Sequence, residues 1–235
     1  MAALCWDGIH NLVHVVLTRE HGHNESLKAW LPEGALVHEV PLTLTHYFDV
    51  EDVRAASMAS DFAGRYQALV VSSARSARYV AAVKGALSEG AIVLSVGEAT
   101  TRALSDEMSD VDVEGDGGAA QLASDIAEGP VLLLGATTPR RELPSALRSR
   151  GIEVTKLACY ETLPATLSGA DEELLRRADI VFIGAPSAWR VAEGFIDART
   201  WVVVPGATTA NEVRRSHEHV FVGWGPSLLE HLRAL

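Results

Sequence analysis

The amino-acid sequence predicts an α/β protein built on two similar, parallel β-sheets, and three observations carry that expectation. Short β-branched or apolar runs recur along the 235 residues, each followed by a stretch of helical character. Strict alternation of this kind builds βαβ units on parallel sheets. Segments from different parts of the chain also resemble one another at an offset of about 110 to 117 residues. Finally, 48% hydrophobic and 22% charged residues is the composition of a chain with a packed core.

The elements follow in order. Val13–Thr18 is the first strand and Asn24–Leu31 the helix after it; Gly34 leads into a second strand, Leu36–Val40. Asp52–Ala63 reads as a helix, Ala68–Ser72 as a strand and Ala74–Leu87 as a helix. The strand Ile92–Val96 precedes the helix Ala99–Met108, and the short strand Val111–Val113 precedes the helix Ala119–Ala127. Val131–Leu134, Arg141–Arg150 and Ile152–Leu157 repeat strand, helix and strand. The last part reads Ile180–Ile183, Ser187–Phe195, Val202–Val204, Ala210–Arg215 and Val220–Val222 in the same alternation. Ala68–Val80 pairs with Asp179–Val191, Val96–Leu104 with Pro205–Val213, and Gly34–Val40 with Gly151–Leu157, so an internal duplication is expected. Two similar sheets place a ligand cleft between them by default, at the carboxyl ends of the strands.

The formal net charge of -11 argues against nucleic acid as a partner, because phosphate binding needs clustered Lys and Arg. An anionic small molecule would have to be held locally, by backbone amides at helix N-termini. Apolar runs such as Val131–Leu134 and Ile180–Ile183 fall far short of the roughly 20 residues that span a bilayer. No membrane partner is therefore expected. The start of the chain has no basic region followed by an apolar one, and predicts no secretory signal. Cys5 and Cys159 form no CxxC, so neither a zinc site nor a disulfide framework is expected, and the predicted compartment is the cytoplasm.

No GxGxxG follows a strand, and no GxxxxGK[ST] or GxSxG occurs. A dinucleotide site and serine-hydrolase chemistry are thus not predicted. Nine histidines include His21 and His23 around Gly22. No carboxylate or Cys completes a metal-ligand spacing with them, so no metal is predicted. Four strand-to-helix corners carry hydroxyls: Ser72–Ser73, Thr100–Thr101, Ser187 and Thr208–Thr209. They can cap the helices, and the same corners can hold carboxylates or phosphates on free amides. Arg19 ends the first strand, Arg75 follows Ser73, and Arg140 and Arg141 follow Thr137–Thr138. Each is a surface charge or, turned into a cleft, a bidentate clamp for a carboxylate. Tyr160, in LACYETLP, is either a linker aromatic or a proton donor to a leaving hydroxyl.

With these residues in place, the chain resembles the uroporphyrinogen-III synthase family. VVLTRE with GALVHEVPLTLT, ALVVSSARSA, LSVGEATTRAL, the segment from VLLLGATTPRRE to KLACYET, and VVVPGATTANEV resemble the family's elements in order and spacing, from about Val13 to Leu232. Two corners depart from the family pattern. Ile183–Gly184–Ala185–Pro186–Ser187 stands where Thr-Ser-Pro-Ser is usual, and Gly206–Ala207–Thr208 has Ala in place of Pro.

The resemblance implies flavodoxin-like domains, one inserted into the other. Residues 1–42 and 165–235 would form domain 1 and residues 48–156 domain 2, joined by antiparallel linker strands 43–47 and 157–164. It also implies closure of hydroxymethylbilane, a linear tetrapyrrole, with inversion of ring D and loss of water, by a monomer without any cofactor. Tyr160 would then be catalytic, and Arg19, Ser72, Ser73, Arg75, Gly97, Thr100, Arg141, Ser187, Thr208 and Thr209 would bind substrate. The alternative is a non-catalytic protein of the same fold that binds an anionic metabolite or tetrapyrrole.

Overall fold

A computed structural model describes residues 13–31, 34–59, 62–107, 113–115, 118–138 and 141–233. In chain order the first elements are β1 (His14–Leu17), α1 (Glu25–Lys28), β2 (Leu36–Glu39), β3 (Thr43–Tyr47), α2 (Val50–Ser57) and β4 (Tyr66–Val71). Next come α3 (Val80–Val83), β5 (Leu87–Val96), α4 (Glu98–Glu107), β6 (Val113–Gly115), α5 (Gly118–Asp125), β7 (Val131–Ala136) and α6 (Glu142–Ser149). The remainder is β8 (Val154–Pro164), α7 (Gly169–Arg176), β9 (Ile180–Phe182), α8 (Pro186–Ala192), β10 (Trp201–Val204), α9 (Ala207–Val213), β11 (Val220–Val222) and α10 (Pro226–Arg233). Among the described residues no helix is long and apolar enough to cross a membrane.

The chain forms two compact units, Met1–Leu44 with Leu163–Leu235, and Thr45–Thr162. The first carries a five-stranded sheet in the order β11-β10-β9-β1-β2, parallel throughout. Its strands are near-continuous apolar runs because both faces are covered. Val16, Val181, Val202 and Val204 face one core layer with Trp189; Val15, Leu17, Ile180 and Phe182 face the other with Leu27 and Leu228. The second sheet runs β3-β8-β7-β4-β5-β6, parallel from β8 to β6. Phe48 N donates to Cys159 O (3.1 Å) and Ala165 N to Leu42 O (3.0 Å). One index rises as the other falls, so β3 runs antiparallel to β8.

The predicted duplication appears in the topology. If β1, β2, β9, β10 and β11 are matched to β7, β8, β4, β5 and β6, as the sequence repeats pair them, the two parallel sheets have the same strand order. In the first sheet the chain turns to one side from β1 to β2 and to the other from β9 to β11. In the second it does so from β7 to β8 and from β4 to β6. Each unit therefore has one topological switch point, at β1/β9 and at β4/β7. In open parallel sheets ligands bind outside the carboxyl ends of strands at such points.

Some predicted elements are redrawn. The helix expected over 74–87 is broken into a 3₁₀ turn at Ala74–Tyr79, the short α3, and a second 3₁₀ turn at Lys84–Ala86. The strand expected over 152–157 and the linker strand expected over 157–164 form one continuous element, β8. Helices α7 and α10 had no expected counterpart. For α7 the signal was present: Ser168 Oγ accepts from Asp171 N, and the Asp171 carboxylate accepts in return from Ser168 N, a capping box. The short strand expected at 111–113 begins at Val113 in the structure, with 111 and 112 outside the described residues.

Candidate functional site

The switch point of the first unit is tied by a hydroxyl. Thr18, 2% exposed, donates from Oγ1 to the Phe182 carbonyl and joins the ends of β1 and β9. Arg19 comes next and is half-buried. Its guanidinium carbon lies 4.8 Å from the centroid of the Trp224 ring, and its backbone carbonyl accepts from Asn24 Nδ2 at 3.2 Å. Burial lowers the Arg19 pKa from its ordinary value, since a buried guanidinium loses hydration.

On the other side of the switch point, Ala185 is the N-cap of α8 and Pro186 fills its first turn. Pro suits that position because the missing N–H would be unpaired there in any case. Ser187 is exposed and sits inside the helix, so the capping role open to it from sequence is not observed. The same holds one strand further out. The N-cap of α9 is Gly206, whose carbonyl accepts from Ala210 N at 3.0 Å. Thr208 is an exposed residue of the first turn, while Thr209 is 4% exposed and packed. Neither caps the helix.

In the second unit Ser72 makes the equivalent tie from the opposite strand: its hydroxyl donates to Leu134 O (3.0 Å), joining β4 to β7. The facing residue has to be Gly135, because a Cβ there would strike Ser72 Oγ. Ser73 does cap its helical turn, accepting from Arg75 N at 3.3 Å, and Arg75 is half-buried. Gly97 opens α4 through its carbonyl, which accepts from Thr100 N (3.0 Å) and Thr101 N (3.1 Å). The two threonine hydroxyls turn back into the fold instead of capping. Thr100 Oγ1 donates to Val96 O (3.0 Å), and Thr101 Oγ1 lies 2.5 Å from Ser95 Oγ. Helical Ser and Thr commonly bond the carbonyl one turn back, and buried hydroxyls must find some partner. Arg141 is the exposed N-cap of α6 and makes no side-chain cap; Arg140 lies outside the described residues.

Tyr160 lies in β8, where a register shift sets it beside Ala136 of β7. It is 7% exposed. Its ring is 6.3 Å from that of Tyr47, and the Arg78 guanidinium lies 5.0 Å from the Tyr47 ring. The neighbouring Cys159 thiol is pushed up to about 11 by burial. It stays a thiol at neutral pH and is unsuited to nucleophilic work.

Thus Arg19 and Ser187 flank the first switch point, and Ser72, Ser73 and Arg75 flank the second. Gly97, Thr100, Thr208 and Thr209 sit one strand outside these points, and Arg141 follows the loop after β7. Sequence reasoning missed Thr18, Gly135 and Trp224. The glycines around Trp224 were the available signal for the last. Among the described residues no group of three or more His, Cys, Asp or Glu is placed to hold a metal. A cavity of about 280 Å³ beside α2, lined by His46, Phe48, Asp49 and Asp52 among others, shares no residue with the strand-end corners.

Residues 28–222 match the family model described as Uroporphyrinogen-III synthase HemD. The chain belongs to the uroporphyrinogen-III synthase family. Membership makes it a lyase-type enzyme of tetrapyrrole synthesis that acts on a small-molecule tetrapyrrole. A mutant uroporphyrinogen III synthase from the extremely thermophilic bacterium Thermus thermophilus is similar in structure, with a TM-score of 0.61 and 19% identity over 94% of this chain and 95% of that one. The uroporphyrinogen-III synthetase of Helicobacter pylori is similar with a TM-score of 0.65 and 16% identity over 94% of this chain and 98% of that one. No curated protein matches. At these identities the likeness shows the synthase fold. Arg19 and Trp224 both lie outside the span that the family model matches.

Proposed function

We propose that this chain closes hydroxymethylbilane into uroporphyrinogen III, inverting ring D and releasing water, with no cofactor. The observation that carries the proposal is the repeated switch point. Each unit presents its strand ends with a half-buried arginine, Arg19 in one and Arg75 in the other, at the corner where the chain leaves or enters a switch-point strand. A linear tetrapyrrole rich in carboxylates matches that donor set, with Arg141 and the corners at Gly97, Thr100, Ser187, Thr208 and Thr209 adding further holds. Because backbone amides do much of the holding, the inward turn of Thr100 does not remove its corner from the site.

Tyr160 is the proposed general acid. Its phenol donates a proton to the terminal hydroxyl of the first pyrrole, the C–O bond breaks, and water leaves. The pyrrole nitrogen supplies the electron pair and then gives up its N–H proton, which restores the phenol and leaves a neutral azafulvene. Ring D attacks it through its substituted carbon, and the spiro intermediate fragments and rejoins with ring D inverted. Holding a floppy chain in one geometry is the main source of selectivity, and shielding the azafulvene from water is the second. We read the protein as a cytoplasmic monomer with no nucleic-acid or membrane partner, and residues 43–47 and 157–164 as the connection between its two domains.

Product isomer analysis of Tyr160→Phe tests the assignment. Removing the hydroxyl while keeping the ring should lower turnover roughly 10²- to 10⁴-fold, the usual worth of general acid help. The uninverted isomer should rise, because spontaneous closure competes. A folded Tyr160→Phe protein with wild-type rate and isomer ratio would reduce Tyr160 to a packing residue.

A further inference from the structure

Trp224 belongs to the chain after β11, yet its indole reaches back over the carboxyl edge of the sheet. Its ring centroid is 6.1 Å from that of Phe182, the last residue of β9, and 4.8 Å from the guanidinium carbon of Arg19, just past β1. β10 separates β11 from β9, so the indole crosses a whole strand to reach the switch point. The backbone is shaped for this. Gly223 and Gly225 on either side have φ of +99° and +124°, a region that residues with a side chain rarely adopt. The Gly-Trp-Gly turn then leads directly into α10 at Pro226.

Arg19 is set apart by being half-buried with no ion pair among the described residues, whereas Arg78, Arg141, Arg148, Arg150 and Arg214 are exposed. Lys28, Arg54, Arg65, Arg102, Arg176, Arg190 and Arg215 each pair with a carboxylate. Arg19 has no carboxylate partner among the described residues, and its one side-chain hydrogen bond to backbone is a long one, 3.5 Å to His23 O. A half-buried guanidinium without an acid partner loses hydration with nothing to replace it. Trp224 supplies part of the compensation by attracting the cation to its ring. This contact does not use up the N–H fork that would clasp a carboxylate in bidentate fashion.

We infer that Trp224 is a positioning residue for substrate binding: its indole holds the Arg19 guanidinium at the β1/β9 switch point, ready for one carboxylate of the tetrapyrrole. The inference rests on the proposed role of Arg19 as a carboxylate clamp. A free arginine has many rotamers to lose on binding, and one already stacked on a ring loses fewer.

Steady-state kinetics with hydroxymethylbilane test it through four variants. Trp224→Leu keeps apolar bulk against Phe182 but has no π face, and should raise KM about three- to tenfold, the range of a partly buried cation–π contact. Its kcat should stay near wild type, and Trp224→Phe should restore most of the affinity. Arg19→Gln should raise KM at least as much, and adding Trp224→Leu to it should make nothing worse. A wild-type KM in Trp224→Leu beside a raised KM in Arg19→Gln overturns the inference alone. A wild-type KM in Arg19→Gln overturns the clamp itself and this inference with it. Losses that add in the double variant also overturn the inference, since they would mean the indole acts apart from Arg19. Fluorescence gives a second readout should the Leu variant not fold. The emission of this indole, taken as wild type minus Trp224→Phe, should change on substrate binding and on Arg19→Gln. An emission indifferent to both overturns the inference.

Discussion

Glu39 shows how a single surface residue couples this fold to pH. Its carboxylate receives Lys28 Nζ at 2.8 Å and His21 Nδ1 at 3.0 Å. These partners, Lys28 first, bring its pKa from the ordinary 4.5 down to about 2, while the Lys28 ammonium is raised to about 12 by its hydrogen bonds to Glu25 first and Glu39 second. A carboxyl whose pKa is lower in the folded state stabilises the fold fully above its unfolded value. That stabilisation fades as pH falls from about 4.5 toward about 2. Glu39→Gln should therefore flatten this part of the acid limb. Urea unfolding midpoints at neutral pH and at pH about 3 should fall less in the variant than in wild type. Equal acid sensitivity in both proteins would show that the cluster on β2 contributes nothing to stability.

Among the elements, α7 displays the clearest local logic. Ser168 and Asp171 close both ends of a capping box, and the hydrogen bonds from Ser168 hold the Asp171 carboxyl below its usual range. The helix then buries Leu175 against the core of the first unit. Ser168→Ala removes the acceptor for Asp171 N and one donor to the Asp171 carboxylate, and should destabilise the protein by about 1 kcal/mol in denaturant unfolding, the usual value for a lost N-cap. Turnover should not change, since no proposed substrate contact lies on α7. A variant as stable as wild type would mean that packing of Leu175 alone maintains the helix.

At the scale of the whole molecule, one unit is continuous in sequence and the other is not. Thr45–Thr162 carries two core layers of its own. Tyr66, Leu69, Val71, Tyr79 and Leu134 lie on one face of its sheet, and Val70, Leu94, Leu122, Leu133 and Leu147 on the other. A layer on each face is what a parallel sheet needs in order to fold alone. The fragment Thr45–Thr162 should accordingly show α/β circular dichroism and a cooperative thermal transition. A broad, non-cooperative melt would mean that this unit depends on the rest of the chain for its core.

The pattern of apolar residues was sufficient by itself to determine the α/β class, most of the strands and the duplication. Runs such as Leu132–Leu134 and Val202–Val204 are buried wherever the chain puts them, and burial on two faces selects parallel strands. The places of the hydroxyl corners were legible for the same reason, because a corner falls where the run ends. What those hydroxyls do was decided only in three dimensions. Ser73 caps, Thr100 turns inward and Ser72 ties two strands together, and which of these occurs depends on which carbonyl happens to lie within reach. The switch points, too, exist only once strand order is known, since β1 and β9 are far apart in sequence and hydrogen-bonded in the sheet. Arg19 and Trp224 make the same point most sharply. Each looks like an ordinary residue in its own segment, and only the tertiary fold brings the indole across β10 to the guanidinium. Local pattern reports what must be buried, whereas the partner of a polar or charged group is set by long-range packing that no local window contains.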